Sequence, residues 1–189
     1  MNTKTLAVAI MFAALATVLS LSPLKIAFPI PPFNTFLYYQ IWEIPIVVAF
    51  LIYGTTVLSL VTAINTGVLL VFFPGGLPSG PIYNAAAILC MILGMGIVKF
   101  FITRHSPKSD ALVVALYTIF GVSFRTVGMT FINYSVLGLP YPFGYSLPNA
   151  VIIGYLPFIA VFNATLALYT IPVSYALARI VKSYVGTIR

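Results

Sequence analysis

Hydrophobic residues in this chain come in long blocks. Apolar stretches occupy 6–21, 44–73, 82–102, 111–137 and 150–178. Each approaches or exceeds what is needed to cross a hydrocarbon core of roughly 30 Å at about 1.5 Å per residue. Taken directly, that is five helices. The block 44–73 would be about 45 Å long as one helix, too long for the core without strong tilt. Tyr53-Gly54-Thr55-Thr56 divides it, because Gly54 marks a turn. The pattern therefore predicts an all-α integral membrane protein of six transmembrane helices, the second one short, in a single membrane domain 1–189. The predicted helices lie at about 5–21, 40–53, 55–73, 81–103, 110–136 and 149–179.

The few charges test this count, because cytoplasmic loops collect Lys and Arg. With six spans, Lys4, Lys99, Arg104, Lys108, Arg179, Lys182 and Arg189 share one face. Lys25 alone lies on the other, and Arg125 is left inside a helix. With five spans, Lys4 would oppose the basic loop of Lys99, Arg104 and Lys108. Six helices with both termini cytoplasmic is the consistent solution. The chain is 61% hydrophobic and 6% charged, and a mean hydropathy of +1.12 excludes a soluble domain. The expected setting is the cell membrane, with the lipid bilayer as solvent. The net charge of +7 is then mostly the positive-inside signal, and no nucleic-acid partner is expected. Lys4, the apolar run after it and Ser20-Leu21-Ser22 also have the outline of a signal peptide. Leu19 and Leu21 fit a small-residue cleavage site poorly, so a retained first helix is the expectation.

The irregular segments concentrate on one face. From Ser22 to Pro45, Pro23, Pro29, Pro31 and Pro32 forbid a regular helix over the first half. Phe28, Phe33, Phe36, Tyr38, Tyr39 and Trp42 in the same segment must pack on something: the mouth of the helices, the membrane interface or a ligand. A stiff, proline-rich, aromatic segment suits an extracellular lid, 22–45. The turn cluster Pro74–Pro81 and the loop LGLPYPFGYSLPN before the last helix fall on the same side. Asp110 is the expected N-cap of helix 5, and Pro157 and Pro172 are expected to kink helix 6.

Chemistry-bearing residues are scarce. Glu43 and Asp110 are the two carboxylates, His105 the one histidine and Cys90 the one cysteine. No metal site, cofactor or catalytic group can be assembled from these, and no phosphate-cradling GxxxxGK[ST] is present. The chain is not expected to be an enzyme. Counting along the helices puts Asn65, Arg125 and Asn163 near mid-bilayer. An arginine there costs roughly 2.5–3.5 kcal/mol on insertion scales, so it should face the interior. Arg125 is then either a hydrogen-bonded hub between helices or a cationic anchor for an anionic or carbonyl-bearing ligand. Nearer the outer face lie Tyr38, Gln40, Trp42, Glu43, Asn84, Asn133 and Tyr134. Together with Arg125 and Asn163 they are the candidate ligand-binding set: aromatic walls and amide donors suited to a flat, mostly neutral small molecule. On helix 1, Ala9 and Ala13 make a smooth strip, for packing inside the chain or for docking to another subunit.

With these residues in view the chain resembles the S components, the substrate-binding membrane subunits, of energy-coupling factor (ECF) vitamin transporters. The riboflavin-type S components are the nearest likeness. Ala9 and Ala13 match the alanine strip that the family sets against its transmembrane coupling subunit. FLYYQIWEIPI, from Phe36 to Ile46, resembles the family's FLKYDLSDIPA, with Glu43 and Pro45 keeping its ending. Tyr53-Gly54, Asn65, Gly80-Pro81 with Asn84, Asn133-Tyr134 and Leu156-Pro157-Phe158 match further spaced features. The departures are Tyr38, Gln40 and Trp42 in place of Lys, Asp and Ser, and Phe162 where helix 6 has Lys. Arg125 has no counterpart. The resemblance implies a subunit that captures a vitamin-like ligand from outside and delivers it with a transmembrane coupling protein and an ATPase pair. A noncatalytic accessory subunit that keeps the fold but not the pocket is the alternative.

Overall fold

The computed structural model describes residues 3–21, 25–30, 37–72, 77–105 and 109–185. Phe33 and Phe36 of the lid segment, Pro74 of the turn cluster, and the basic residues Lys108 and Arg189 lie outside the described residues. The chain forms two compact units, one of Met1–Val68 with Tyr169–Arg189, the other of Leu69–Leu168.

The first unit holds α1 (Thr3–Leu21), β1 (Lys25–Ala27), β2 (Tyr38–Gln40), α2 (Glu43–Tyr53) and most of α3 (Thr55–Phe72). It also holds the last part of α6 (Asn149–Val185). Gly54 separates α2 from α3 with φ 84°, a conformation that side chains with a Cβ disfavour, and its N–H closes α2 on the Phe50 carbonyl at 3.0 Å. Helix 2 does not begin at Gln40 as the apolar pattern predicts. Tyr38–Gln40 pairs antiparallel with Lys25–Ala27 instead, with Ile26 opposite Tyr39. The ladder takes the backbone groups a helix would need, so α2 starts at Glu43. Ring contact between Phe12 and Tyr53 joins α1 to α2, centroids 6.1 Å apart.

In the second unit α4 (Gly80–His105) packs directly on α5 (Asp110–Val136). A Cβ at Gly94 would overlap the Phe120 carbonyl, and one at Gly128 would sit 2.6 Å from the Cys90 Sγ. Small residues at these crossings let the helices close on each other where no hydrophobic force drives them together. The N-cap of α5 is Ser109, whose hydroxyl accepts from the Leu112 N–H at 3.4 Å. Asp110 sits instead in the first turn, where the free N–H groups favour its negative charge. α6 continues six residues past the expected end at 179, running through both Pro157 and Pro172 to Val185.

Among the described residues, five helices are long and apolar enough to cross a membrane: α1, α3, α4, α5 and α6. The shorter α2 is a sixth apolar helix.

Candidate ligand-binding site

Each unit gathers part of the candidate set. In the first, Tyr38 and Gln40 are half-buried on β2, while Trp42 and Glu43 are buried at the start of α2. Side chains alternate along a strand, so Tyr38 and Gln40 share one face and Tyr39 takes the other. There Tyr39 meets Phe28 and Tyr169, ring centroids 6.1 and 6.4 Å away. Glu43 opens α2, a position where the helix N-terminus stabilises a carboxylate.

α6 holds this segment by its backbone. The Tyr169 hydroxyl donates to the Gln40 carbonyl at 2.7 Å, and Ser174 donates to Ile44 at 3.3 Å. Lys182 Nζ donates to Leu51 at 3.2 Å, in the last turn of α2, where a cation complements the helix dipole. The order of the contacts shows that α2 and this part of α6 run parallel. Tyr169 carries no motif and lies 129 residues from Gln40 in sequence, so the sequence gives no sign of it beyond an aromatic residue in an apolar run. Elsewhere in the unit, the Thr17 hydroxyl meets Asn65 Oδ1 at 2.9 Å and the Ala13 carbonyl at 2.8 Å.

In the second unit Arg125 and Asn163 come together. Both are buried, 3% and 4% exposed. Arg125 Nε donates to Asn163 Oδ1 at 3.1 Å, and Nη1 lies 4.0 Å from Met91 Sδ. The Asn163 amide in turn donates to the Ile159 carbonyl at 2.9 Å. Arg125 belongs to a buried stripe on α5 at four-residue spacing: Val113, Tyr117, Gly121, Arg125, Met129. Asn133 follows in the same register, half-buried, but its amide donates to the Met129 carbonyl at 2.7 Å on its own helix. Asn84 is exposed on α4, and Tyr134 is 48% exposed.

The alanine strip is covered within the chain. Ala9 and Ala13 are 0% and 1% exposed. These two residues pack inside the first unit, while Leu6, Ile10, Met11, Leu15 and Val18 form the outward face of α1. Among the described residues, no three or more His, Cys, Asp or Glu side chains gather as a metal site.

No family model matches the chain, and no curated protein matches it. Among solved structures, it is similar to the S component of a bacterial ECF transporter, with a TM-score of 0.71 and 21% identity over 96% of this chain and 99% of that one. The likeness establishes the fold. With five apolar helices of spanning length, the chain is a multi-pass cell-membrane protein with an S-component fold.

Proposed function

We propose that this chain is the substrate-binding subunit of an ECF-type importer, taking a vitamin-like small molecule from the outer face. Both termini are cytoplasmic in this reading, and a separate coupling protein and ATPase pair supply the energy. The observation that carries it is the S-component fold over nearly the whole chain. The chain's own chemistry agrees with it: two carboxylates, one histidine and one cysteine suit binding better than catalysis. Within the first unit the proposed ligand contacts are the lid residues Tyr38, Gln40, Trp42 and Glu43; within the second the proposed contact is Arg125, with Asn163 orienting the guanidinium. Asn84, Asn133 and Tyr134 remain candidates on α4 and α5. An anionic or carbonyl group on the ligand would take a charge-assisted hydrogen bond from Arg125.

One observation favours the accessory-subunit alternative. Phe28 and Trp42 in the first unit, and Phe162 in the second, are large side chains able to fill space within their own units, and are buried at 4%, 4% and 8% exposure. Mass spectrometry of small molecules released from the purified, detergent-solubilised protein separates the two. Stoichiometric recovery of one compound, lost in Arg125→Ala, supports transport. Recovery of none, from protein copurified with its partners and without ATPases among them, supports the accessory role.

A further inference from the structure

The loop between α5 and α6 combines three features that are unusual together. Its side chains are large, aromatic and exposed: Tyr141 68%, Phe143 55% and Tyr145 43%, with Leu139 at 43% beside them. Its backbone is nevertheless spent internally. The N–H groups of Leu139, Phe143, Gly144, Tyr145, Ser146 and Leu147 all donate to carbonyls between Val136 and Pro140. Pro140, Pro142 and Pro148 have no N–H to satisfy. Two of its carbonyls are taken by the start of α4: Ser79 Oγ donates to Pro142 at 2.7 Å, and the Tyr83 hydroxyl donates to Phe143. Gly144 is so enclosed that a Cβ would overlap the Val136 carbonyl. The third feature is charge: no Asp, Glu, Lys or Arg occurs from Thr126 through Ala178.

A loop bathed in water has no need to satisfy its amides internally, and one displaying this much apolar surface would ordinarily carry charges for solubility. A loop resting at the headgroup boundary needs both properties, because unsatisfied backbone groups are costly where water is scarce. Tyrosine and other amphipathic aromatics favour that boundary, ring toward the acyl chains and hydroxyl toward water. α5, which leads into this loop, carries an outward stripe of its own: Phe124, Val127, Phe131 and Tyr134 recur at three- and four-residue spacing and are 39%, 71%, 71% and 48% exposed. Partial burial raises the Tyr145 phenol above its ordinary range.

We propose that the α5–α6 loop is an interfacial anchor whose aromatic face is seated in the headgroup region of the bilayer, continuing the lipid-facing stripe of α5. The proposal does not depend on the transport reading.

The test uses the full chain in phosphatidylcholine vesicles, with Cys90→Ala and a single nitroxide label at Tyr141→Cys or Phe143→Cys. Labels at Val127 and Tyr184, the latter 87% exposed near the end of α6, serve as lipid and aqueous references. Power saturation compares collision with oxygen, which partitions into lipid, and with a nickel chelate, which stays in water. The expected result at both loop positions is nickel accessibility severalfold below Tyr184, with oxygen accessibility close to Val127. Nickel accessibility equal to Tyr184 would make the loop a solvent loop and overturn the proposal. Shielding from both reagents would mean that protein or ligand covers the aromatic face, and would overturn it equally. Two label sites, each accepted only when thermal unfolding matches the unlabelled parent, guard against a local folding defect.

Discussion

Arg125 and Asn163 support a quantitative prediction, because a buried charge and its acceptor respond differently to removal of either one. Asn163→Leu deletes the oxygen that accepts from Arg125 Nε at 3.1 Å and leaves that N–H buried with an apolar neighbour. A hydrogen bond to a charged group contributes about 1.5–3 kcal/mol, and orphaning the donor costs its desolvation as well, so a loss of about 2–3 kcal/mol is expected. Arg125→Met removes the charge and fills similar space with apolar atoms. That relieves the desolvation cost and leaves only Asn163 short of a donor, so about 0–1.5 kcal/mol is expected. The double variant Arg125→Met/Asn163→Leu should be no less stable than Asn163→Leu alone, so the coupling energy in a double-mutant cycle is at least the cost of Arg125→Met, about 0–1.5 kcal/mol. Unfolding by SDS titration in mixed micelles, followed by fluorescence of Trp42, the single tryptophan, reads all four proteins. Ligand binding separates the two roles of the arginine. As an anchor, Arg125→Met should lose binding while staying folded, and Arg125→Lys should recover part of it, because a point charge lacks the planar fork. If Asn163→Leu unfolds at the same SDS fraction as the parent, the hydrogen bond is not a structural hub. If Arg125→Met binds ligand as tightly as the parent, the anchor role is lost.

Three further outcomes follow from the packing. Gly94→Ala should destabilise by about 1–3 kcal/mol because its Cβ meets the Phe120 backbone, whereas Gly96→Ala, with nothing within 4 Å, should be neutral or gain about 0.4–1 kcal/mol; equal melting shifts would show that α4 and α5 are not in close contact. Tyr169→Phe keeps the ring beside Tyr39 but removes the bond to the Gln40 carbonyl, so hydrogen exchange across residues 38–40 should accelerate for a cost of about 0.5–1.5 kcal/mol; unchanged exchange would mean that the strand is held without it. Ala9→Leu, at a position with no exposure, should lower the stability of the isolated chain by about 1–3 kcal/mol through overpacking; a stable variant that only loses its partner would restore Ala9 to a docking surface.

The apolar blocks alone determined the spanning helices, because transferring a hydrogen-bonded run of apolar side chains into hydrocarbon is decided within the run itself. Gly54 was equally legible: a glycine inside an overlong block marks a break, and the structure places it at φ 84° between α2 and α3. The resemblance to S components was carried by spaced motifs, and the fold agrees with it. Tertiary structure decided what each residue faces. Tyr38–Gln40 became a strand because Lys25–Ala27 offered a partner edge, which no local pattern records. Ser109 took the α5 cap from Asp110 through one turn of chain geometry. Arg125 was legible as an interior residue from its charge, but its acceptor Asn163 lies 38 residues away, and Tyr169 was invisible as the tether of Gln40. The deepest reason is the solvent. In water, hydrophobicity separates the buried face of a helix from the exposed one. In lipid, the exposed Phe124, Val127 and Phe131 of α5 are as apolar as the buried Val113 and Met129, because acyl chains accept such side chains as readily as a protein interior does. Composition therefore says that these helices belong in the membrane, and only packing decides which side of each one meets another helix.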